Sequence, residues 1–270
     1  MKFIDKNIKV LMLSKNKIYF FLIFLFFFLY FIVGISIYKD YGISIDEPFQ
    51  RTSGYFWMIT VIENFFPNYE KLEIIKSKMS QMEWGKEMIN GQYLQYGPFF
   101  DLFSAILENG LNLKSSSDIF FFKHLLNFIV FYISSIFVFF IIKTRFKNNF
   151  LPFFGTFFYI SSPRIFAESF YNCKDIIFMS FMVYALYFCL KSLRKYNFKN
   201  LFLFSLFAAI ATDIRIMGIG IVIIFLIFFL IECLENKKIF FKKILFILFF
   251  IFSYFFLTYL FWPYLWDDPF

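Results

Sequence analysis

The chain is poor in the residues that build disulfide frameworks and metal sites. Its 270 residues include three cysteines and a single histidine. Cys173, Cys189 and Cys233 follow neither a zinc-binding nor a disulfide spacing. They are interpreted as small apolar residues of a membrane protein, with Cys173 expected to face outward. No internal repeat is recognisable either. Disulfide-rich and zinc-stabilised scaffolds are therefore excluded.

Apolar residues dominate the sequence instead. Hydrophobic side chains make up 60% of it and the mean hydropathy is +0.68, whereas soluble domains average roughly 45–50% apolar residues. A helix that crosses a hydrocarbon core of roughly 30 Å needs about 20 such residues. The sequence therefore predicts an all-α, polytopic transmembrane helical bundle that forms one domain over residues 1–270. Its seven candidate spans are residues 18–38, 119–142, 150–164, 175–190, 200–214, 217–235 and 244–263.

Basic residues indicate how these spans are oriented. The net charge is +8, but the lysines and arginines cluster in the N-terminal tail and in residues 143–149, 191–199 and 236–243, with Asp5 as the one acid there. This placement is typical of cytoplasmic loops and explains the charge without a nucleic-acid partner. The first run is too long for a cleaved signal peptide. We expect an uncleaved first span, a cytoplasmic N-terminus and an extracytoplasmic C-terminus.

A long first outer loop, residues 39–118, follows the first span. It is rich in aromatic residues, which settle at the headgroup region, and we expect short helices that lie along the membrane surface. Gly97 and Pro98 predict a break between two of them. Residues 99–111 are apolar but too short to cross the membrane, so they are assigned to its interface.

Polar residues gather on the outer face of this topology. An ionisable residue at a span end is costly to bury, so a functional role with a partner is the first hypothesis for each group. We expect the groups to meet in one water-accessible pocket. They are Asp46–Glu47, Arg164 with Glu168, Lys174–Asp175, Asp213 with Arg215, and Asp267–Asp268 as a fifth candidate.

Each group also has a plainer explanation. Asp46 and Glu47 would equally suit a solvated loop. Asp175 would neutralise the start of a helix, where the macrodipole favours an anion. His124, at the start of the second span, is interpreted as an interfacial side chain rather than a ligand. Asp213 and Arg215 are harder to explain in this way, because almost no polar loop surrounds them.

This set of residues suits sugar transfer from a lipid phosphate. A loop carboxylate can act as general base toward a hydroxyl or amine. Lysine and arginine can hold a phosphate and stabilise it as a leaving group. A polyprenyl-phosphate donor would place its phosphate at headgroup depth, where Arg164, Lys174 and Arg215 are expected. Interfacial aromatic residues can line a groove for its lipid tail and for sugar rings.

Three stretches resemble a known enzyme group. YGISIDEPFQ at residues 41–50 resembles the Asp–Glu signature in the first outer loop of GT-C glycosyltransferases, and is most similar to the protein O-mannosyltransferase and aminoarabinose-transferase group, glycosyltransferase family 39. SPRIFAESFYNCKD at residues 162–175 is similar to a bacterial branch of that group, as is WPYLW at residues 262–266.

The resemblance implies an inverting transfer from a polyprenyl- or dolichyl-phosphate sugar on the outer face of a bacterial inner membrane. The acceptor would be a glycan, glycolipid or protein. The resemblance implies that Asp46 is the base and that Glu47 supports it or helps bind a divalent metal. Lys174 and Arg215 would lie near the donor phosphate together with Arg164. Supporting roles fall to Tyr171, Asn172, Asp175 and Asp213.

Two other functions remain open at this stage. Relatives of this group commonly have eleven or more spans, so the chain is expected to be a fragment, a truncated gene product or a reduced relative, and a non-catalytic role is one alternative. A transporter or lipid flippase is the other, because it also needs charges in a bundle. Transporters usually bind substrate near the midplane, on broken helices in paired halves, and no matching halves are recognisable here.

Overall fold

The computed structural model describes residues 2–146, 148, 150–195, 197–235 and 237–267, with side chains from residue 18 to residue 266 except 147, 149, 196 and 236–242. This part of the chain is helical and contains no strand, which confirms the all-α prediction. The helices are α1 (Lys2–Ile37), α2 (Glu47–Phe65), α3 (Leu72–Ser80), α4 (Gly85–Ile89), α5 (Phe99–Gly110), α6 (Ser116–Arg145), α7 (Phe150–Ser161), α8 (Pro163–Tyr171), α9 (Asp175–Arg194), α10 (Phe198–Ile214), a 3₁₀ turn (Ile216–Gly218), α11 (Ile219–Glu235), α12 (Lys237–Phe261) and α13 (Tyr264–Asp267).

Each predicted span coincides with a helix, but the helices differ in length. Among the described residues, five stretches are long and apolar enough to cross a membrane: Ile18–Ile37, Ser116–Arg145, Asp175–Arg194, Ile216–Glu235 and Lys243–Phe261. Helix α7 has 12 residues, or about 18 Å at 1.5 Å per residue, and is short for a straight crossing. The total of seven spans therefore remains a prediction.

Helix α7 ends earlier than the apolar run predicts. The run was expected to continue to residue 164, but Ser162 is extended, with φ −60° and ψ 116°, and Pro163 begins α8. Proline suits the first turn of a helix, where its missing N–H would have no partner, and it cannot continue the preceding helix. Most of the stretch SPRIFAESFYNCKD, residues 162–175, therefore lies on the separate short helix α8.

Helix α10 is the centre of one helical core. It packs against α9 and α12, and its small residues Ala208 and Ala209 are fully buried there. Small side chains allow helices to approach closely in a membrane, where packing replaces the hydrophobic driving force. Phe204 stacks on Phe250 of α12 with ring centroids 4.7 Å apart. This packing fixes the position of α10, and Asp213 and Arg215 lie at its C-terminal end.

Helix α6 organises the other core. It packs against α7, α8 and α9, and Phe128 stacks on Phe170 of α8 at 5.2 Å. Helix α1 reaches it at Gly34, where any Cβ would lie 1.9 Å from the Phe128 ring. A larger residue at position 34 would therefore separate α1 from α6.

The segment from residue 39 to residue 118 contains α2 to α5, and several of its polar residues are buried. Helix α5 packs on α2 and buries Asp101, Ser104 and Glu108, while Phe103 and Ile106 are exposed. Glu108 is held by Arg51, with Nη2 to Oε1 at 2.6 Å, and by Lys78 at 3.0 Å. Burial opposes ionisation of Glu108, but these cations hold the pKa of its carboxyl below the usual value.

Short helices in this segment agree with the prediction from sequence, and so does the break at Gly97–Pro98, since α5 begins directly after Pro98. Apolar side chains on the outside of α5 suit contact with lipid. The location of these helices along a membrane surface remains a prediction.

Candidate active site

The ends of three helices and the long outer segment enclose one cavity of about 750 Å³. Lys174 precedes α9, Arg215 follows α10 and Trp262 follows α12. All three residues line the cavity, and so does Asp46 from the segment before α2. Asp46, Lys174, Asp213 and Arg215, which were predicted to meet, therefore share one cavity although they are up to 169 positions apart.

Asp46 presents its carboxylate to this cavity. It is exposed and stands directly before α2, where a carboxylate is favoured by the helix dipole. Its side chain makes no capping hydrogen bond to the helix. The carboxylate is therefore free to contact a molecule in the cavity.

The neighbouring Glu47 points the other way and is fully buried. Its Oε2 accepts a hydrogen bond of 2.7 Å from the Ser44 backbone N–H. Its Oε1 lies 3.1 Å from His124 Nε2 on α6, without hydrogen-bond geometry. Lys123 Nζ donates to the Glu47 carbonyl at 3.3 Å, and His124 Nδ1 lies 3.2 Å from the Tyr38 carbonyl. Glu47 thus anchors the segment that carries Asp46.

Lys174 owes its position to the turn before α9. The Asn172 side chain accepts from the backbone N–H of Asp175 at 2.7 Å and of Lys174 at 3.2 Å, so it orders the turn that leads into this helix. Lys174 Nζ lies 4.1 Å from the centre of the Tyr96 ring. Burial lowers the pKa of Lys174, and nearby Asp101 opposes that effect while Arg215 adds to it.

Asp213 is buried where α10 meets the segment before α5. Its Oδ2 accepts a hydrogen bond of 2.7 Å from the Phe99 backbone N–H, so it holds the start of α5. Gly97 lies so close that a Cβ there would be 2.0 Å from the Asp213 carbonyl. The other oxygen, Oδ1, is buried without a hydrogen-bond partner among the described residues.

Arg215 forms an ion pair with Asp175, and both side chains are about half exposed. The pair joins the end of α10 to the start of α9. Asp175 therefore has a partner of its own in addition to its place in the first turn of α9. Exposed pairs of this kind hold geometry but contribute little free energy.

Other predicted site residues lie outside the cavity. Arg164 is 86% exposed and pairs with Glu168 one turn later on α8, with Nε to Oε1 at 2.7 Å. Tyr171 accepts a hydrogen bond at its carbonyl from Ser44 Oγ at 3.3 Å. The structure does not bring Arg164 or Tyr171 into the cavity lining. The pair Asp267–Asp268 lies outside the described side chains.

Several residues of the site were not recognised from sequence. Asp101 is buried on α5, and burial raises the pKa of its carboxyl to about 7, while Lys123 and Lys174 oppose the shift. The side-chain amide of Gln50 is oriented with its nitrogen toward Asp101, and it donates to Asp101 Oδ1 at 3.1 Å. His124 is fully buried rather than interfacial, and Cys173 is buried rather than outward-facing. A polar residue every third or fourth position of α5 was the available signal for Asp101.

Comparison with known families decides what kind of protein this is. Residues 106–262, more than half of the chain, match the family model described as dolichyl-phosphate-mannose-protein mannosyltransferase. The chain belongs to this family. Comparison of the chain with curated proteins and with solved structures found no match. Membership in the dolichyl-phosphate-mannose-protein mannosyltransferase family makes the chain a membrane glycosyltransferase of the GT-C type, which agrees with the resemblance seen in the sequence.

The family match divides the site in two. Lys174, Asp213 and Arg215 lie within the matched residues, whereas Asp46 and Glu47 precede them. The cavity joins both parts. The cations Lys174 and Arg215 therefore belong to the segment that matches the family, and the carboxylate of Asp46 comes from the preceding part of the chain.

A metal ion at Glu47 does not fit these surroundings. Both carboxylate oxygens already face nitrogen atoms of Ser44 and His124. Among the described residues, no group of three or more histidine, cysteine, aspartate or glutamate side chains is arranged to hold a metal ion. No step of the mechanism below is therefore assigned to a metal.

Proposed function

We propose that the chain transfers a sugar from a polyprenyl-phosphate donor to an acceptor on the extracytoplasmic face of a bacterial inner membrane. The observation that carries the proposal is the cavity that Asp46 shares with Lys174 and Arg215. It combines one exposed carboxylate with two cations, the groups that a general base and a phosphate site require. Family membership supports the reaction type.

Asp46 acts as the general base in this proposal. Its carboxylate takes the proton from the acceptor hydroxyl or amine as the acceptor atom attacks C1 of the sugar. The bond between C1 and the phosphate oxygen breaks on the opposite face, and its electron pair leaves with the polyprenyl phosphate. The configuration at C1 is therefore inverted.

Lys174 and Arg215 bind the phosphate and balance the charge that develops on it. A partly buried cation is effective here because fewer water molecules screen it. Arg215 can bind two phosphate oxygens with its planar guanidinium, whereas Lys174 provides a compact charge. Glu47 keeps Asp46 in place and does not contact substrate.

Replacement of Asp46 by Asn tests this assignment. The amide keeps the shape of the side chain but cannot accept the proton, so Asp46→Asn should lower kcat by roughly 10²- to 10⁴-fold. Purified protein would be assayed with radiolabelled polyprenyl-phosphate sugars. Asp40→Asn is the matched control, because Asp40 is an exposed acid on the same segment that does not line the cavity.

Two results would contradict the proposal. Transfer at the wild-type rate by Asp46→Asn would remove Asp46 as the base. Equal loss in Asp46→Asn and Asp40→Asn would show that the effect comes from the fold of the segment. Retention of the wild-type thermal unfolding midpoint by both variants establishes that the comparison concerns chemistry.

A further inference from the structure

Four aromatic residues form one wall of the cavity, and one of them, Tyr96, contacts Lys174. Phe49 is at the centre of this aromatic wall and meets Trp84, Tyr93 and Tyr96 edge to face, with ring centroids 5.6, 5.9 and 6.3 Å away. Trp84 and Tyr93 also contact each other at 6.0 Å. All four residues line the cavity. The rings support one another and form a continuous apolar surface.

The backbone of this wall adopts an uncommon conformation. Tyr93 has φ +63°, in the left-handed region that residues other than glycine rarely enter, and Gly91 nearby has φ +81°. Tyr93 nevertheless remains 44% exposed, so burial of its own ring does not explain the conformation. Strained residues concentrate at ligand sites. The turn places the Tyr93 ring in the wall beside Trp84.

Three polar atoms around the same cavity have no hydrogen-bond partner among the described residues. They are the indole Nε1 atoms of Trp84 and Trp262 and the Oδ1 atom of Asp213, and all three are buried. Each of these residues lines the cavity. Buried polar atoms are nearly always paired, so three exceptions around one cavity require an explanation. Two are donors and one is an acceptor, and hydroxyl groups serve both.

We infer that the aromatic wall binds the sugar ring of the lipid-linked donor, and that Trp84, Trp262 and Asp213 bind its hydroxyl groups. The inference rests on the proposed function. A pyranose has an apolar C–H face that packs on aromatic rings and a rim of hydroxyl groups. The donor sugar is favoured over an acceptor sugar because Lys174 Nζ lies 4.1 Å from the Tyr96 ring. A sugar joined directly to phosphate would contact the aromatic wall while its phosphate contacts Lys174.

Binding to two lipids tests the inference. The purified protein in lipid nanodiscs would be titrated with polyprenyl-phosphate mannose and with polyprenyl phosphate that carries no sugar. The wild type should prefer the sugar-bearing lipid. Trp84→Phe, which replaces the indole by a smaller ring without an N–H group, and Tyr93→Leu, which removes a ring, should each weaken that binding by about tenfold. Neither should change binding of the bare lipid.

Tyr69→Leu is the matched control, because Tyr69 is an exposed tyrosine of the same segment that does not line the cavity. It should bind both lipids like the wild type. Bare-lipid binding also reports whether each variant is folded, and Trp84→Phe is the conservative variant if Tyr93→Leu fails to fold.

The outcomes separate this inference from the proposed function. If the wild type binds both lipids equally, or if Trp84→Phe and Tyr93→Leu keep its preference, the wall does not bind the sugar, while the phosphate site stands. If the wild type binds neither lipid, the proposed function fails and the sugar site fails with it. Loss of the preference in both variants, with bare-lipid binding unchanged, supports the inference.

Discussion

Lys174 shows how the chemistry of one residue depends on its neighbours. Burial lowers the pKa of its ammonium group, Asp101 raises it and Arg215 lowers it further. The ammonium group is therefore charged below this lowered pKa and neutral above it. Phosphate binding through Lys174 should consequently weaken at a lower pH than it would at an exposed lysine.

The pH profile of the donor KM tests this role. In the wild type, KM should rise as the pH increases through the lowered pKa of Lys174, by roughly 10- to 100-fold for loss of one charged contact. Lys174→Arg should remove that alkaline rise, because arginine remains protonated. Lys114→Arg, at an exposed lysine outside the cavity, should leave it unchanged. An alkaline rise that persists in Lys174→Arg would assign it to another group.

The sequence predicts some residues of the site better than others. Asp46, Lys174, Asp213 and Arg215 could be recognised because they are charged groups at the ends of apolar runs. Asp101 and His124 were missed, since the polar spacing of α5 is only a weak signal and both residues are buried through contact with a helix distant in sequence. Arg164 matches the motif that resembles the family, but it forms an ion pair with Glu168 on the same helix and does not line the cavity. A sequence motif does not reveal which face of a helix meets the cavity.

At the level of elements, α6 positions the segment that begins after α1 and ends at α2. Lys123 and His124, consecutive residues of α6, contact Glu47, and His124 also approaches the Tyr38 carbonyl. Both ends of the segment are therefore fixed to one helix. The location of Asp46 over the cavity depends on that attachment.

Removal of the His124 ring should destabilise the protein and slow transfer. His124→Ala removes the ring that lies 3.1 Å from the buried Glu47 carboxyl group, which should cost roughly 1–3 kcal/mol because a buried polar group loses its neighbour, and it should reduce kcat more than the donor KM. Thermal unfolding in detergent and steady-state kinetics measure the two effects. Asn127→Ala is the control one turn along α6, where a buried side chain donates to the Phe170 carbonyl at 2.9 Å. It should lower stability, but for the same loss of stability it should reduce kcat less than His124→Ala does.

A double replacement distinguishes the pair from general packing. Glu47→Gln replaces the carboxyl group that His124 contacts, so His124→Ala should cost less in that background than in the wild type. Strictly additive losses would indicate that the Glu47–His124 contact contributes nothing of its own.

Sequence patterns predict where helices lie better than where they end. Runs of apolar residues mark α1, α6 and α9 to α12, because a lipid-facing helix needs such a run whatever its neighbours are. The separation of α7 from α8 depends on the local geometry of Ser162 and Pro163. The inward polar face of α5 depends on its contact with α2, which no short-range pattern encodes.

For the whole molecule, alternation of helix direction places the site at one end of the bundle. Helix α9 begins at the cavity and α10 ends there, and α12 ends beside it at Trp262. The basic residues at the end of α9 and the start of α10, such as Lys191 and Lys199, therefore lie at the opposite ends of these helices. This arrangement agrees with the orientation predicted from charge.

Reporter fusions test that orientation directly. A reporter after Lys199 or Lys243 should be cytoplasmic, whereas one after Asn172 should be extracytoplasmic, because positive residues remain on the cytoplasmic side. Alkaline phosphatase and a fluorescent protein report the two compartments in opposite ways. The same side for Asn172 and Lys199 would contradict α9 as a membrane span.

The contact between Arg215 and Asp175 has a consequence for successive reaction cycles. In the proposed mechanism, a lipid phosphate would compete with the Asp175 carboxylate for the Arg215 guanidinium, and the carboxylate would return once the spent carrier departs. Because the pair is half exposed, this exchange costs little. Under that proposal, Asp175 would hold the arginine in one orientation between cycles and compete with the used carrier, so that tight phosphate binding need not slow turnover.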